Sequence, residues 1–166
     1  MKCLFDKIEI SSSSAIGKKD KKNINKYFNK EILYKDKDYN LVKLKNRSNL
    51  IVREKIAILF YFNGMYIPTL KFLNEESFEF PVVYLDEGAV NPLQRGANVM
   101  APGIYKYFKQ SQGDFKKNDI VIVNILKQGI FAIGQAIIDK TTINKDKIGE
   151  AICILHIKSD DLYNLF

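Results

Sequence analysis

The part of this 166-residue chain that constrains its fold most is Asp86 to Ile104, which reads DEGAVNPLQRGANVMAPGI. Gly96 has no Cβ, so it can adopt a positive φ, end a helix and let the backbone turn sharply into a strand. Pro102 and Gly103 suit the two central positions of a type II turn. The stretch therefore predicts a short helix, a corner of small residues, a strand and a turn. Together these form a surface that a flat or extended ligand can approach closely.

The same stretch resembles the opening of a PUA domain, a small RNA-binding β-barrel, through the pattern D-x-G-A followed by G-A-N-V-M-x-P-G. The upstream segment Tyr66 to Leu73, YIPTLKFL, resembles the end of the domain that precedes PUA in the malignant T-cell-amplified sequence family. The resemblance covers most of the chain from about residue 40. It implies an α+β fold, with an N-terminal α/β pre-PUA domain over residues 1–80 and a PUA-type mixed β-barrel over residues 81–166.

The length and composition are those of a globular protein whose core needs neither disulfide bonds nor a metal ion. The chain is 46% hydrophobic and 27% charged, and a chain of this size buries roughly 70% of its unfolded surface. No apolar run approaches the roughly 20 residues of a membrane-spanning helix. Asp6 and Glu9 interrupt the first apolar stretch, which argues against a secretory signal. We therefore expect a cytoplasmic protein without a membrane partner.

The residues that most catalytic and metal sites require are scarce in this sequence. The two cysteines, Cys3 and Cys153, form no CxxC pair, so a structural zinc site is not expected. His156 is the single histidine, which argues against a histidine-based triad or a multi-histidine metal site. Neither a Walker loop nor a dinucleotide fingerprint occurs. The sequence therefore predicts no catalysis and no cofactor.

The net charge of +7 favours a polyanionic partner. Residues 1–81 hold 16 basic and 10 acidic residues, a net +6, whereas residues 82–166 hold 10 and 9, a net +1. The general attraction for a polyanion is therefore expected in the first half. The abundance of Lys, Ile and Asn also fits AU-rich codons, so compositional bias is the alternative explanation for the charge.

Apolar patterns predict the elements of the first half. Residues 1–10 predict a weak edge strand, and the serine run 11–14 predicts a flexible segment. Apolar residues at helical spacing predict an amphipathic helix over residues 21–34, and Pro68 is predicted to begin a short second helix. Strands are predicted over residues 41–45, 50–53 and 56–62, with a hairpin turn at Asn63-Gly64.

The second half predicts several short strands and one embedded helix, as in a small barrel. Segment 105–115 is predicted to be a loop, and Asp160 to begin a C-terminal turn or helix. Gly134 lies in the middle of a predicted strand, which favours a bulge, a barrel corner or a close approach of another backbone. Strands are predicted over residues 82–85, 119–126, 130–138 and 151–157.

The corner is the first candidate binding site. Its small residues let backbone N–H groups reach a phosphate or sugar, and the Asn98 amide offers donors and acceptors to a nucleotide. Without the resemblance, a tight barrel corner that binds nothing explains these residues equally well. With it, RNA contact is predicted for Gly88, Ala89, Arg95, Gly96, Ala97, Asn98, Val99, Met100, Pro102 and Gly103.

Basic residues of the first half are the second candidate site. A solvated charged face is the alternative for each of them. An rRNA-facing surface is predicted for Lys18, Lys19, Lys22, Arg47 and Arg53.

The resemblance implies a non-catalytic RNA-binding translation factor that associates with the small ribosomal subunit. Members of the family act in non-standard initiation, reinitiation and ribosome recycling, including the release of deacylated tRNA, and work with density-regulated protein. The implied partners are therefore rRNA or the 3′ end of tRNA, the small subunit, and a density-regulated protein-like partner.

Two other functions stay open. PUA domains also occur attached to tRNA-modifying enzymes, so a tRNA- or rRNA-binding accessory of an RNA-modification system is the first alternative. A protein-interaction module with merely compositional charge is the second. Weak salt dependence would favour the second, because each phosphate contact contributes roughly 0.7 to the log–log salt slope on single strands.

Overall fold

The apolar stretches of the first half pair with their neighbours in sequence. In the computed structural model, which describes residues 3–166, five strands form an antiparallel sheet in chain order. The turn Asn63-Gly64 joins the last two strands with φ values of 46° and 79°, which confirms the predicted hairpin. The strands are β1 (Ile10–Ala15), β2 (Asn40–Leu44), β3 (Leu50–Arg53), β4 (Ile56–Phe62) and β5 (Met65–Pro68).

The first strand lies where a flexible serine run was expected. Every residue of β1 is exposed, and the strand forms an edge of the sheet through its pairing with β2. Backbone hydrogen bonds to a neighbouring strand do not require apolar side chains, so the polar serines are compatible with an edge. The prediction of a flexible segment at 11–14 is therefore wrong. The edge strand was predicted over residues 1–10, but the observed one covers Ile10–Ala15. Residues 1 and 2 of the predicted range fall outside the described part.

Both helices of the first half differ from their predicted bounds. Helix α1 covers Lys18–Phe28 rather than 21–34, because Asn29 adopts a left-handed φ of 51° and ends it. Ile32, which the helical spacing included, is buried in the segment that follows. Helix α2 covers Leu70–Glu75, and its N-cap is Thr69, whose hydroxyl accepts from the Phe72 N–H. Pro68 ends β5, so the prediction that it begins a helix is wrong.

The second sheet is mixed. Its strands are β6 (Val82–Leu85), β7 (Val99–Met100), β8 (Ile120–Ile125), β9 (Gly129–Ala136) and β10 (Glu150–Ile157). Their spatial order is β6-β8-β9-β10-β7. The β6–β8 pair is parallel and the others are antiparallel. With helices beside two sheets, the predicted α+β class is confirmed.

Three short helices accompany this sheet, namely α3 (Val90–Gln94), α4 (Ala101–Lys106) and α5 (Asp161–Leu165). Pro102 and Gly103 lie in the first turn of α4, so the predicted type II turn is wrong. Proline is well tolerated there, because the first N–H groups of a helix lack partners within it. Segment 105–115 contains the end of α4 and a 3₁₀ turn at residues 108–110. Among residues 3–166, no helix has the length and apolarity needed to cross a bilayer.

The two sheets share a buried core. Phe5 and Phe60 from the first half and Leu155 from the second belong to one apolar cluster. His156 packs edge-on against both phenylalanines, and its Nδ1 lies 2.8 Å from Asp160 Oδ2. The two halves bury apolar surface against each other in this cluster, so the core does not divide at one point of the chain. The predicted domain boundary between residues 80 and 81 therefore stays a prediction.

Gly134 lies where β9 and β10 come close. A Cβ at this position would lie 2.7 Å from the Cys153 carbonyl oxygen and would overlap the Ile152 side chain. The structure thus confirms the close backbone approach that this mid-strand glycine predicted.

We expect Gly134→Ala to lower the free energy of unfolding by about 1–3 kcal/mol, because the added methyl forces the strands apart. Urea denaturation measures this change. Gly17→Ala is the control, since a Cβ at Gly17 has no atom within 4 Å and the change is expected to stay within about 1 kcal/mol. Equal losses in the two variants would contradict this account of Gly134.

Candidate nucleic-acid interface

Local backbone geometry builds the corner. The Gly88 N–H donates to Asp86 Oδ1 at 3.0 Å, so the carboxylate caps the 3₁₀ turn over residues 87–89. Helix α3 follows, and Gly96 ends it with a φ of 94°. The Gly96 and Ala97 N–H groups donate to the Leu93 and Pro92 carbonyls, both at 3.0 Å. The predicted conformation of Gly96 is therefore confirmed, and a side chain there would be strained.

The Asn98 side chain ties the corner to strand β10. Its Oδ1 accepts from the Ile154 N–H at 3.0 Å, and its Nδ2 donates to Glu150 Oε2 at 3.2 Å. Both ends of the amide are therefore used within the protein. The sequence suggested Asn98 as a nucleotide contact but gave no signal of these partners, which lie more than fifty residues further along the chain. A direct RNA contact by Asn98 stays a prediction.

A cavity of about 280 Å³ opens beside the corner. We call it the corner cavity. Of the ten predicted corner residues, Arg95, Gly96, Ala97 and Pro102 lie outside its lining. The lining residues are Leu85, Asp86, Gly88, Ala89, Pro92, Leu93, Asn98, Val99, Met100 and Gly103.

The walls of the corner cavity are mainly small or apolar. Val99 and Leu93 are buried in the core of the second sheet, whereas the Met100 side chain is 47% exposed. Gly88 and Gly103 present no side chain. Such a cavity suits a flat, uncharged group that packs against the Met100 thioether.

The charges at the rim largely cancel. Lys106 Nζ lies 2.9 Å from Asp86 Oδ2. This hydrogen bond lowers the pKa of the Asp86 carboxyl and raises the pKa of the Lys106 amine. Both groups therefore stay charged at neutral pH and neutralise each other, and Glu150 adds a further acidic group beside Asn98. Within residues 3–166, no three His, Cys, Asp or Glu side chains are placed to hold a metal ion.

The basic residues predicted in the first half occupy different environments and do not form one surface. Arg53 is paired with Glu75 of α2 through Nη2 and Oε2 at 2.7 Å, and only 15% of its side chain is exposed. The hydrogen bond from Arg53 to Glu75 raises the pKa of the guanidinium, so Arg53 mainly joins β3 to α2. Arg47 lies in the β2–β3 turn, with a φ of 67°.

Lys18 and Lys22 line a larger cavity along α1, whereas Lys19 is exposed outside its lining. Further lysines of that cavity, Lys26, Lys30 and Lys35 among them, were not predicted from the sequence. For Lys26, the recurrence of lysine at every fourth position from Lys18 was the available signal.

We expect Asn98→Ala to lower the free energy of unfolding by about 1–3 kcal/mol, because it leaves the Ile154 N–H without its acceptor. Chemical denaturation measures the loss. Glu150→Gln preserves an acceptor for the Asn98 amide and should stay within about 0.5 kcal/mol of wild type. An Asn98→Ala protein as stable as the wild type would show that the amide does not hold the corner.

Comparison with known proteins places the corner in a recognised domain. Residues 81–158 match the PUA domain family. A conserved PUA domain protein from Thermoplasma acidophilum superimposes with a TM-score of 0.71 at 25% identity, covering 93% of this chain and 99% of that chain. The predicted PUA-type barrel is thereby confirmed.

Two eukaryotic relatives extend the similarity over both halves. Translation machinery-associated protein 20 of Saccharomyces cerevisiae is 27% identical over 138 residues, which are 81% of this chain and 76% of that protein. The malignant T-cell-amplified sequence 1 homolog of Dictyostelium discoideum is 34% identical over 127 residues, 74% of this chain and 68% of that protein. This chain therefore belongs to the malignant T-cell-amplified sequence family.

Proposed function

We propose that this protein is a non-catalytic, cytoplasmic translation factor that binds RNA through its PUA domain and associates with the small ribosomal subunit. The observation that carries this proposal is the corner cavity, which is lined mainly by residues of the PUA-like stretch 86–104. The names of the relatives, translation machinery-associated protein 20 among them, support the link to translation. The net charge of +7 supports a polyanionic partner.

The corner cavity is proposed to hold one unpaired nucleotide. Its volume of about 280 Å³ lies just below the range of pockets for drug-sized ligands, so it suits one ring rather than a duplex. The exposed Met100 side chain offers an apolar face to a base. Arg95 is exposed one residue before the corner, where a guanidinium can bind a neighbouring phosphate. The 3′ end of a tRNA, or an unpaired rRNA nucleotide, supplies such a group.

We infer that binding at this site serves non-standard initiation, reinitiation or ribosome recycling, with release of deacylated tRNA. In this proposal residues 1–80 dock on rRNA or on a density-regulated protein-like partner, while residues 81–166 hold the nucleotide. The shared core, to which Phe60 and Leu155 both contribute, supports a rigid relation between these two tasks.

We expect Met100→Glu, combined with Gly103→Ala, to reduce co-sedimentation with small ribosomal subunits by roughly tenfold, an effect of about 1.4 kcal/mol. The glutamate adds charge at the exposed rim, and the methyl enters the cavity. The fold should tolerate that methyl, because its nearest neighbour would be Leu85 Cδ2 at 3.5 Å. Sucrose gradients of lysates over a salt series provide the measurement.

The matched control is Ile148→Glu, which also converts an exposed apolar residue, 80% accessible, to glutamate and lies outside the cavity lining. Equal losses for control and cavity variants would show that the cavity is not the contact. Wild-type protein that stays at the top of the gradient at every salt concentration would contradict ribosome association. Equally strong binding to free tRNA and to subunits would favour the RNA-modification accessory instead.

A further inference from the structure

A cavity of the first half lies beside α1. The helix ends at Phe28, and the chain doubles back through residues 29–38 instead of continuing as a helix. The space between them measures about 770 Å³. We call it the lysine cleft. The one acidic residue among its lining is Glu31, and the lysines that line it are Lys18, Lys21, Lys22, Lys26, Lys30 and Lys35.

The far wall of the lysine cleft is anchored to the helix. Asn25 Oδ1 accepts from the Ile32 and Leu33 N–H groups at 2.9 and 2.8 Å, and Asn25 Nδ2 donates to the Leu33 carbonyl at 2.8 Å. The side chains of Ile32 and Leu33 are 1% exposed. The cleft is therefore preformed by buried contacts and does not depend on a ligand to close it.

Two of the six lysines have partners that fix them in place. Lys21 Nζ donates to the Lys37 carbonyl at 2.6 Å, and Lys30 Nζ lies 3.0 Å from Glu76 Oε2. These two ammonium groups help to hold the walls together, and the charge of Lys30 is partly neutralised by the Glu76 carboxylate.

The remaining four lysines are available to a ligand. All are exposed, and none joins a salt bridge found within residues 3–166. Lys18, Lys22 and Lys26 recur every four residues, so they form a row on one face of α1 with a rise of about 6 Å between neighbours. Like charges at this spacing destabilise a helix. A bound polyanion would relieve that repulsion. Lys35 contributes from the opposite wall.

An exposed aromatic ring, that of Tyr27, lies next to the lysine cleft. Tyr27 is 49% exposed and lines a second cavity, which shares Asn29 and Lys30 with the lysine cleft. Its ring is held edge-on by Tyr66, with ring centroids 5.4 Å apart. Lysines beside an exposed aromatic ring are the combination that binds single-stranded nucleic acid through phosphates and base stacking. An acidic protein segment would use the lysines but not the ring.

We propose that the lysine cleft binds the phosphodiester backbone of single-stranded RNA, with Lys18, Lys22 and Lys26 contacting successive phosphates of one strand. This inference rests on the proposed RNA-binding function and assigns the larger share of the salt-dependent affinity to the first half. The corner cavity, where Asp86 and Lys106 neutralise each other, contributes the contact to a single nucleotide. Phosphate contacts of this kind position an RNA without reading its sequence.

The test measures fluorescence anisotropy of a labelled oligouridylate with the purified 166-residue protein over a potassium chloride series. Lys18→Gln/Lys22→Gln/Lys26→Gln is expected to weaken binding at low salt at least tenfold and to reduce the log–log salt slope by about 2, since each phosphate contact contributes roughly 0.7. The charge-matched control replaces three exposed lysines of the second half, Lys116, Lys117 and Lys145, by glutamine and should retain the wild-type slope. Thermal melting verifies that both variants fold.

Equal slopes for the cleft variant and the wild type would overturn this inference. So would wild-type protein that binds no oligouridylate at the lowest salt, or polyglutamate that competes as well as RNA at equal charge. The two proposals fail separately. A wild-type log–log salt slope in the cleft variant, together with loss of ribosome binding in the Met100→Glu/Gly103→Ala variant, would contradict the cleft as an RNA site and support the translation factor. A reduced log–log salt slope in the cleft variant, together with wild-type protein that never co-sediments with small subunits, would support the cleft and contradict ribosome association.

Discussion

The candidate site depends on the two hydrogen bonds that the Asn98 amide makes to β10. Strand β7 has only two residues, and its pairing with β10 is irregular in register, so the ladder alone holds the corner weakly. The Asn98 bond to Ile154 and the bond from the Ala101 N–H to the Gly149 carbonyl, at 2.9 Å, complete the attachment. Because α3 and α4 flank this short strand, the same bonds fix opposite walls of the corner cavity. Asn98, which the sequence suggested as a ligand contact, therefore serves to attach the corner to β10.

A second constraint acts between the halves. Phe5 and Phe60 pack against Leu155 in one cluster, and the buried His156–Asp160 pair lies at the same junction, where Asp160 also accepts from the Ile157 and Tyr163 N–H groups at 2.9 Å. Burial of this kind opposes independent motion of the two sheets. A single RNA that occupied both the lysine cleft and the corner cavity would have to match a fixed separation, which selects its shape rather than its sequence.

Short-range signals predicted much of this fold. The Asn63-Gly64 turn, the conformation of Gly96 and the close approach at Gly134 each follow from what one or two residues allow. The errors arose where a local pattern fits two structures. Ile32 continues the helical spacing of α1, but a returning loop buries it equally well. Pro102 suits either a turn or the start of a helix. Long-range contacts favour the helix, namely the Ala101 hydrogen bond to Gly149 and the burial of Ile104. The partners of Asn98 were invisible for the same reason.

The charged residues also illustrate what the sequence could not predict. Composition gives the net charge of a segment, but only the structure shows which charged side chains are paired. The net +6 of residues 1–81 predicted a basic surface in the first half. It did not distinguish Arg53, which is paired with Glu75, from Lys22, which lines the lysine cleft. Nor did it show that Lys106 and Asp86 cancel at the corner. Bound to RNA, a row of exposed lysines would give affinity that falls steeply with salt. An apolar cavity whose Asp86–Lys106 pair is internally neutralised would give a contact that changes little with salt. The two surfaces therefore differ physically, and the salt dependence of binding separates their contributions.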